Sequence, residues 1–232
     1  MQPNNIVSRE QWLEARKALM AQEKEFTRTR DRLSEQRRAL PWVRVEKTYV
    51  FDSPAGQKTL ADLFDGRSQL VVQHFMFAPD WEAGCKSCSF WADQFDRIIP
   101  HLKARDTALV AVSRAPLPKL EDFKRRMGWS FDWYSSANTD FNQDFAVSFT
   151  PQELNSGEKI YNFKTSGFAA EEAPGISVFY RDESGGIFHT YSCFARGLDM
   201  MNAAYQYLDL TPLGRHEEGS HPMAWVRLRD QY

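Results

Sequence analysis

Leu70-Val71-Val72-Gln73-His74-Phe75-Met76-Phe77, followed after the loop 78–84 by Cys85-Lys86-Ser87-Cys88, is the stretch on which the fold turns. The first run is apolar at most positions, as in a strand covered on both faces, where simple in-out alternation is lost. A helix then begins at about Cys85. Its Trp91, Phe95, Ile98, Ile99 and Leu102 recur at helical spacing and define one buried face. The next strand is Thr107–Ser113, with Leu109, Val110, Ala111 and Val112 at its centre. Pro118 opens another helix, which carries Leu120, Phe123 and Met127 and ends at Gly128. Strand, helix, strand, helix predicts a parallel pair with a right-handed crossover.

Further along, residues 129–174 break into short aromatic stretches and polar turns. Residues 176–181 then read as a strand, Glu183-Ser184-Gly185-Gly186 as a turn, and 187–192 as its hairpin partner. A last helix over 197–208 closes the core. The order βαβα followed by ββα is that of an α/β thioredoxin-like fold, a central mixed sheet flanked by helices. Toward the amino end, Val43, Val45, Tyr49 and Phe51 broadly alternate with polar residues, and Ser53-Pro54-Ala55-Gly56 reads as a hairpin turn. Residues 59–64 read as a short helix. Before them, Ser8 and Gln11 form a capping box, and Pro41 stops the helix that starts there. Trp12, Leu19, Phe26 and Leu33 recur every seven residues, but Ala15, Gln22, Thr29 and Gln36 are too small or polar for a firm coiled coil. The expectation is a long amphipathic helix, 1–41, packed on a thioredoxin-like domain, 42–210, with a C-terminal extension, 211–232. A homodimer contact through the same helix is the rival use of that stripe.

The formal charge of −2 on 232 residues creates no field that would recruit nucleic acid or an anionic membrane. No run reaches the roughly 18 apolar residues of a spanning helix. Residues 1–10 contain no apolar segment of a secretion signal. Three cysteines do not make a disulfide scaffold, and a close pair fits a reducing compartment, so the expectation is cytoplasmic. No Gly-rich phosphate loop follows a strand and no GxSxG elbow occurs, so no cofactor is expected.

A CxxC that opens a helix has a mechanical meaning. Cys85 would meet unpaired N–H groups and the positive end of the helix dipole, which favour a thiolate. Cys88 lies one turn on, placed to attack a mixed disulfide and release the product. The roles are nucleophile for Cys85 and resolving thiol for Cys88, with Trp81, Lys86, Ser87 and Ile176 as neighbours of the substrate. Lys86 adds positive charge, Asp80 and Glu82 oppose it, and Trp81 would act as an apolar lid. A zinc site is disfavoured: there is no second CxxC and no HxxxH, so His74, His101, His189 and Cys193 would have to be gathered singly. His74 reads as a hydrogen-bonded core histidine, Cys193 as a small buried hydrophobe, and His216 and His221 as incidental. Peroxidase chemistry is also disfavoured, because residues 79–84 offer no Thr or Ser beside the thiol and Arg114 would be the cation by assumption only. The alternative to a thiol–disulfide oxidoreductase acting on an unknown disulfide or small molecule is a non-catalytic binding or scaffold protein.

Several stretches are also familiar as a set. Arg38-Ala39-Leu40-Pro41-Trp42-Val43, His74-Phe75-Met76-Phe77, Gly84-Cys85-Lys86-Ser87-Cys88-Ser89-Phe90-Trp91-Ala92-Asp93, Ala195-Arg196-Gly197-Leu198-Asp199 and Pro222-Met223-Ala224-Trp225-Val226 resemble the bacterial thioredoxin-like proteins of the domain-of-unknown-function 899 family. The resemblance spans 8–232 and implies a thioredoxin-like fold, a bacterial cytoplasmic setting and no established activity. It departs at the tail, where Arg229-Asp230-Gln231-Tyr232 lacks a His-Asp pair. Functional thioredoxins place a cis-proline directly before the first hairpin strand. Aligned with those proteins, that place falls here on Ile176, with Pro174 two residues early.

Overall fold

The computed structural model describes residues 5–167, 170–217 and 222–232, so His221 lies outside the described residues. The chain divides into two compact units, Met1–Pro41 and Trp42–Tyr232. The first is a single helix, α1 (Arg9–Arg38). Its capping box is formed: Ser8 Oγ accepts from the Gln11 amide at 3.3 Å and Gln11 Oε1 accepts from the Ser8 amide at 3.1 Å. Arg37 and Arg38 occupy the last turn, where cations complement the helix dipole.

The second unit holds strands β1 (Val43–Arg44), β2 (Val50–Ser53), β3 (Gly56–Thr59), β4 (Gln69–His74) and β5 (Thr107–Ser113). Strands β6 (Trp133–Ser135), β7 (Ile160–Tyr161), β8 (Lys164–Thr165), β9 (Gly175–Arg181) and β10 (Ile187–Phe194) follow. Its helices are α2 (Lys86–Phe95), α3 (Ile99–Lys103), α4 (Leu117–Met127), α5 (Phe141–Asp144), α6 (Pro151–Ser156) and α7 (Ala203–Leu208). One sheet runs β1-β10-β9-β4-β5-β6-β2-β3. Strands β4, β5 and β6 are parallel, whereas β9 is antiparallel to β4 and β10 to β9. That is the mixed thioredoxin-like core, and a separate hairpin pairs β7 with β8.

Because β4, β5 and β6 step in one direction across the sheet, two right-handed crossovers place α2 and α4 on the same face. The core divides accordingly. Phe75, Trp91, Phe95, Leu120, Phe123 and Trp133 fill the helix-covered side. Leu70, Val72, Val110, Val112 and Phe179 meet Phe51, Leu63, Phe64 and Phe141 on the other.

Local chemistry redraws several expected elements. The alternating run at 43–51 is two strands toward opposite ends of the sheet: β1 pairs with β10, and β2 lies between β6 and β3. The expected helix at 59–64 shrinks to a 3-10 turn over Asp62–Phe64, because Thr59 stays paired with Val50 while its amide donates to Asp62 at 2.7 Å. Helix α2 stops before Ile98. Pro100 lacks an N–H and crowds the carbonyl four residues back. Asp96 turns to accept from the Ser130 and Phe131 amides at 3.0 and 2.9 Å. Ile98 is consequently exposed rather than buried. The last helix is likewise split: 3-10 turns span Ala195–Met201, and Asn202, in an extended conformation, caps α7 by accepting from the Tyr205 amide at 3.0 Å.

Candidate dithiol site

Cys85 is the N-cap of α2, and its backbone is fixed on both sides. Its amide donates to Met76 O at 3.0 Å, and its carbonyl accepts from the amide and hydroxyl of Ser89 at 2.9 and 3.0 Å. The chain reaches it through Gly84, where a Cβ would lie 2.7 Å from the Phe75 ring and 2.9 Å from Phe123. No side chain fits between those rings. The preceding loop is held by Lys119, whose ammonium donates to Pro79 O at 2.7 Å and Trp81 O at 3.0 Å.

The two sulfurs are unlike. Cys85 is partly exposed and Cys88 is buried. Cys85 makes no formed cap hydrogen bond. Its thiol is nevertheless brought down to about 6, first by the Cys88 thiol and then by the amide dipoles of Cys88 and Ser87, against the opposing effect of burial. The Cys88 thiol is pushed well up by its bond to Cys85, by burial and by the charges of Cys85 and Glu172. The Met76 amide, donating to Cys88 Sγ at 3.4 Å, works in the opposite direction.

A cavity of about 670 Å³ opens beside the pair. Cys85, Ser87 and Cys88 line it, together with Met76, Trp91, Pro174, Leu198 and Met223. The other expected neighbours lie elsewhere. Trp81 packs against the aromatic cluster, and exposed Lys86 donates to Ala224 O at 3.0 Å. Ile176 is inside β9, opposite Gln73 and Cys193. Gly175 opens β9, so the residue directly before the hairpin is Pro174, and the assignment of that place to Ile176 is corrected. No cis peptide bond occurs among the described residues.

Sequence reasoning missed most of the wall. Tyr161, from the weakly patterned segment, donates to Pro174 O at 2.8 Å and accepts from the Ala195 amide at 3.0 Å. Burial pushes its phenol up to about 12, so the hydroxyl keeps its proton. Trp91 Nε1 donates to Leu198 O at 2.9 Å and joins α2 to the wall after β10. Arg215 lies over the Tyr205 ring, 3.9 Å from its centre. Leu198 and Met223 fall within stretches that carry the family resemblance, which was the one signal that pointed to them.

The remaining candidates are engaged away from the cavity. His74 is buried, and its Nε2 meets Ser177 Oγ at 2.8 Å. Ser177 meets Ser192 at 2.8 Å, and Ser192 meets His189 Nε2 at 2.8 Å. His101 lies on α3, and Cys193 is buried in β10. Arg114 pairs with the almost fully buried Glu172, which Ser148 also holds at 2.6 Å, and with Glu171 at 3.3 Å.

A family model described as bacterial protein of unknown function (DUF899) matches residues 1–232. No curated protein matches the chain. Among solved structures, the chain is similar to peroxidoxin BcpB from Mycobacterium tuberculosis at 13% identity and a TM-score of 0.47, covering 73% of this chain and 97% of that one. It is also similar to peroxiredoxin Q from Xanthomonas campestris at 14% identity and a TM-score of 0.45, covering 68% of this chain and 89% of that one.

Proposed function

We propose that this chain, which belongs to the DUF899 family of bacterial proteins, is a dithiol oxidoreductase that reduces disulfides through Cys85 and Cys88. The observation that carries the reading is the asymmetry of the two sulfurs: an accessible Cys85 held toward thiolate at the start of α2, and a buried Cys88 held as thiol one turn on.

The Cys85 thiolate attacks one sulfur of a substrate disulfide. The S–S bond breaks, a mixed disulfide forms on Cys85, and the other half leaves as a thiolate that takes up a proton. The charge on Cys85 disappears in that step, and with it the largest influence that keeps Cys88 protonated. Cys88 then loses its proton with help from the Met76 amide and attacks Cys85 Sγ, expelling the second thiol. Two electrons pass from the pair to the substrate, one proton comes from Cys88 and one from solvent, and a thiol donor restores the pair.

Redox titration of the protein, with mixed-disulfide trapping on Cys88→Ser, tests this. The expected result is one reversible two-electron couple and an adduct confined to Cys85. A chain that forms no Cys85–Cys88 disulfide under oxidising poise would be a binding protein instead.

A further inference from the structure

Two features of the cavity play no part in the sulfur chemistry. The first is Gln73, which lines the cavity from β4 and is 3% exposed. Among the described residues its side-chain amide makes no hydrogen bond within the protein, and its polar atoms stay open to the cavity rather than sealed in the core. A carboxamide offers one acceptor and two donors and no charge, so it matches an uncharged polar group. The second is the state of the charged lining. Arg215 is held by Asp199 at 2.8 Å and by Asp209 at 2.9 Å. Glu217 accepts from Tyr205 Oη at 2.7 Å, the Met223 amide at 2.9 Å and Trp225 Nε1 at 3.0 Å. The largely exposed Arg196 reaches Asp199 at 3.2 Å. Each of these charges thus has a partner, and a charged substrate bound inside would have to displace one or enter without compensation. Most of the remaining wall is apolar, and about 670 Å³ suits a small molecule.

We infer that the substrate is an uncharged organic disulfide of low molecular weight, its apolar body in the cavity, an amide or carbonyl on Gln73 and its S–S bond at Cys85. This rests on the dithiol reading and follows the same electron balance: two product thiols are released, and the protein leaves as the Cys85–Cys88 disulfide until a thiol donor reduces it.

The test measures second-order oxidation rates of the reduced full-length chain. The probes are N,N′-dibenzoylcystamine (neutral, aromatic, amide-bearing), bis(3-phenylpropyl) disulfide (neutral, no amide), cystamine, 3,3′-dithiodipropionate and insulin. Each rate is divided by that of the same disulfide with dithiothreitol. N,N′-dibenzoylcystamine is expected to exceed both charged disulfides by about 100-fold. Gln73→Leu should lower its rate about tenfold without lowering that of the amide-free disulfide, a reversal of preference that general damage to the fold would not produce. The Cys85→Ser/Cys88→Ser double variant should bind N,N′-dibenzoylcystamine, but neither charged disulfide, in calorimetry.

Charged disulfides or insulin reduced as fast as the neutral amide would overturn the substrate class and leave the dithiol reading standing. A wild-type chain that reduces none of the probes overturns both. Failure of the double variant to bind the neutral amide overturns the inference even where the rates favour it.

Discussion

Cys85 and Glu172 show how much is decided by single side chains. With its thiol lowered to about 6, Cys85 should alkylate at a rate that rises with pH through that value and is flat above neutrality. Iodoacetamide rates on the Cys88→Ala variant should have a higher midpoint, because the thiol that contributes most to the shift is gone. An unmoved midpoint would assign the effect to the helix end alone. Glu172 is buried, and burial raises its carboxyl while Ser148 and Arg114 hold it down. Arg114→Met should therefore cost about 3–5 kcal/mol in urea unfolding near neutral pH. With the cation gone the folded carboxyl titrates higher still, so the folded state binds the extra proton and the loss should shrink as pH falls toward 5. A loss that is flat with pH would show that Arg114 acts by packing. The lowered Cys85 thiol was legible in the sequence as a cysteine at a helix start, whereas the Glu172 pair was not, because only folding brings Arg114, just after β5, against Glu171 and Glu172.

At the level of elements, the strongly patterned parts were readable and the junctions were not. The apolar run of β4 and the spacing of Trp91, Phe95, Leu120 and Phe123 placed the parallel pair and its helices, because burial of one face leaves a periodic trace. Asp96 ends α2 and Asn202 starts α7, each also bonded to residues far along the chain, and a three-residue β6 has too little length for periodicity. Short segments such as β7 are specified by what they touch. Tyr161 is the clearest case, since its hydroxyl serves two backbone groups, Pro174 O and the Ala195 amide. Tyr161→Phe should cost about 1–3 kcal/mol, because removing the hydroxyl leaves both backbone groups short of a partner. Gly84→Ala should lower the melting temperature and slow Cys85 alkylation together, as the Phe75 and Phe123 rings cannot admit a methyl. Full alkylation speed in a well-folded Gly84→Ala chain would show that the loop can reroute.

Across the whole molecule, the buried histidine sets a limit on acid tolerance. Burial, with a contribution from His189, holds His74 at about 3, far below its ordinary value near 6.5. Between those values the unfolded chain carries a proton at this site that the folded chain refuses. Stability should therefore fall as pH drops below about 6.5, by a slope approaching one proton from this residue. His74→Gln removes that titration, and its urea midpoint should depend less on pH between 6.5 and 4 than that of the parent; equal dependence would place the acid sensitivity elsewhere. The bridge made by Tyr161 has a different kind of consequence. The Cys85 and Cys88 sulfurs belong to the β4–α2 junction, whereas Tyr161, Leu198 and Met223 come from the segment before β9 and from the chain after β10. The proposed sulfur chemistry and much of the cavity wall are thus written in separate passages of the chain, while Gln73, Met76 and Trp91 share the core with the sulfurs. A graft of the two wall segments from one relative onto the core of another should change which apolar bodies are accepted, and leave both the sulfur chemistry and the amide preference set by Gln73 where they were.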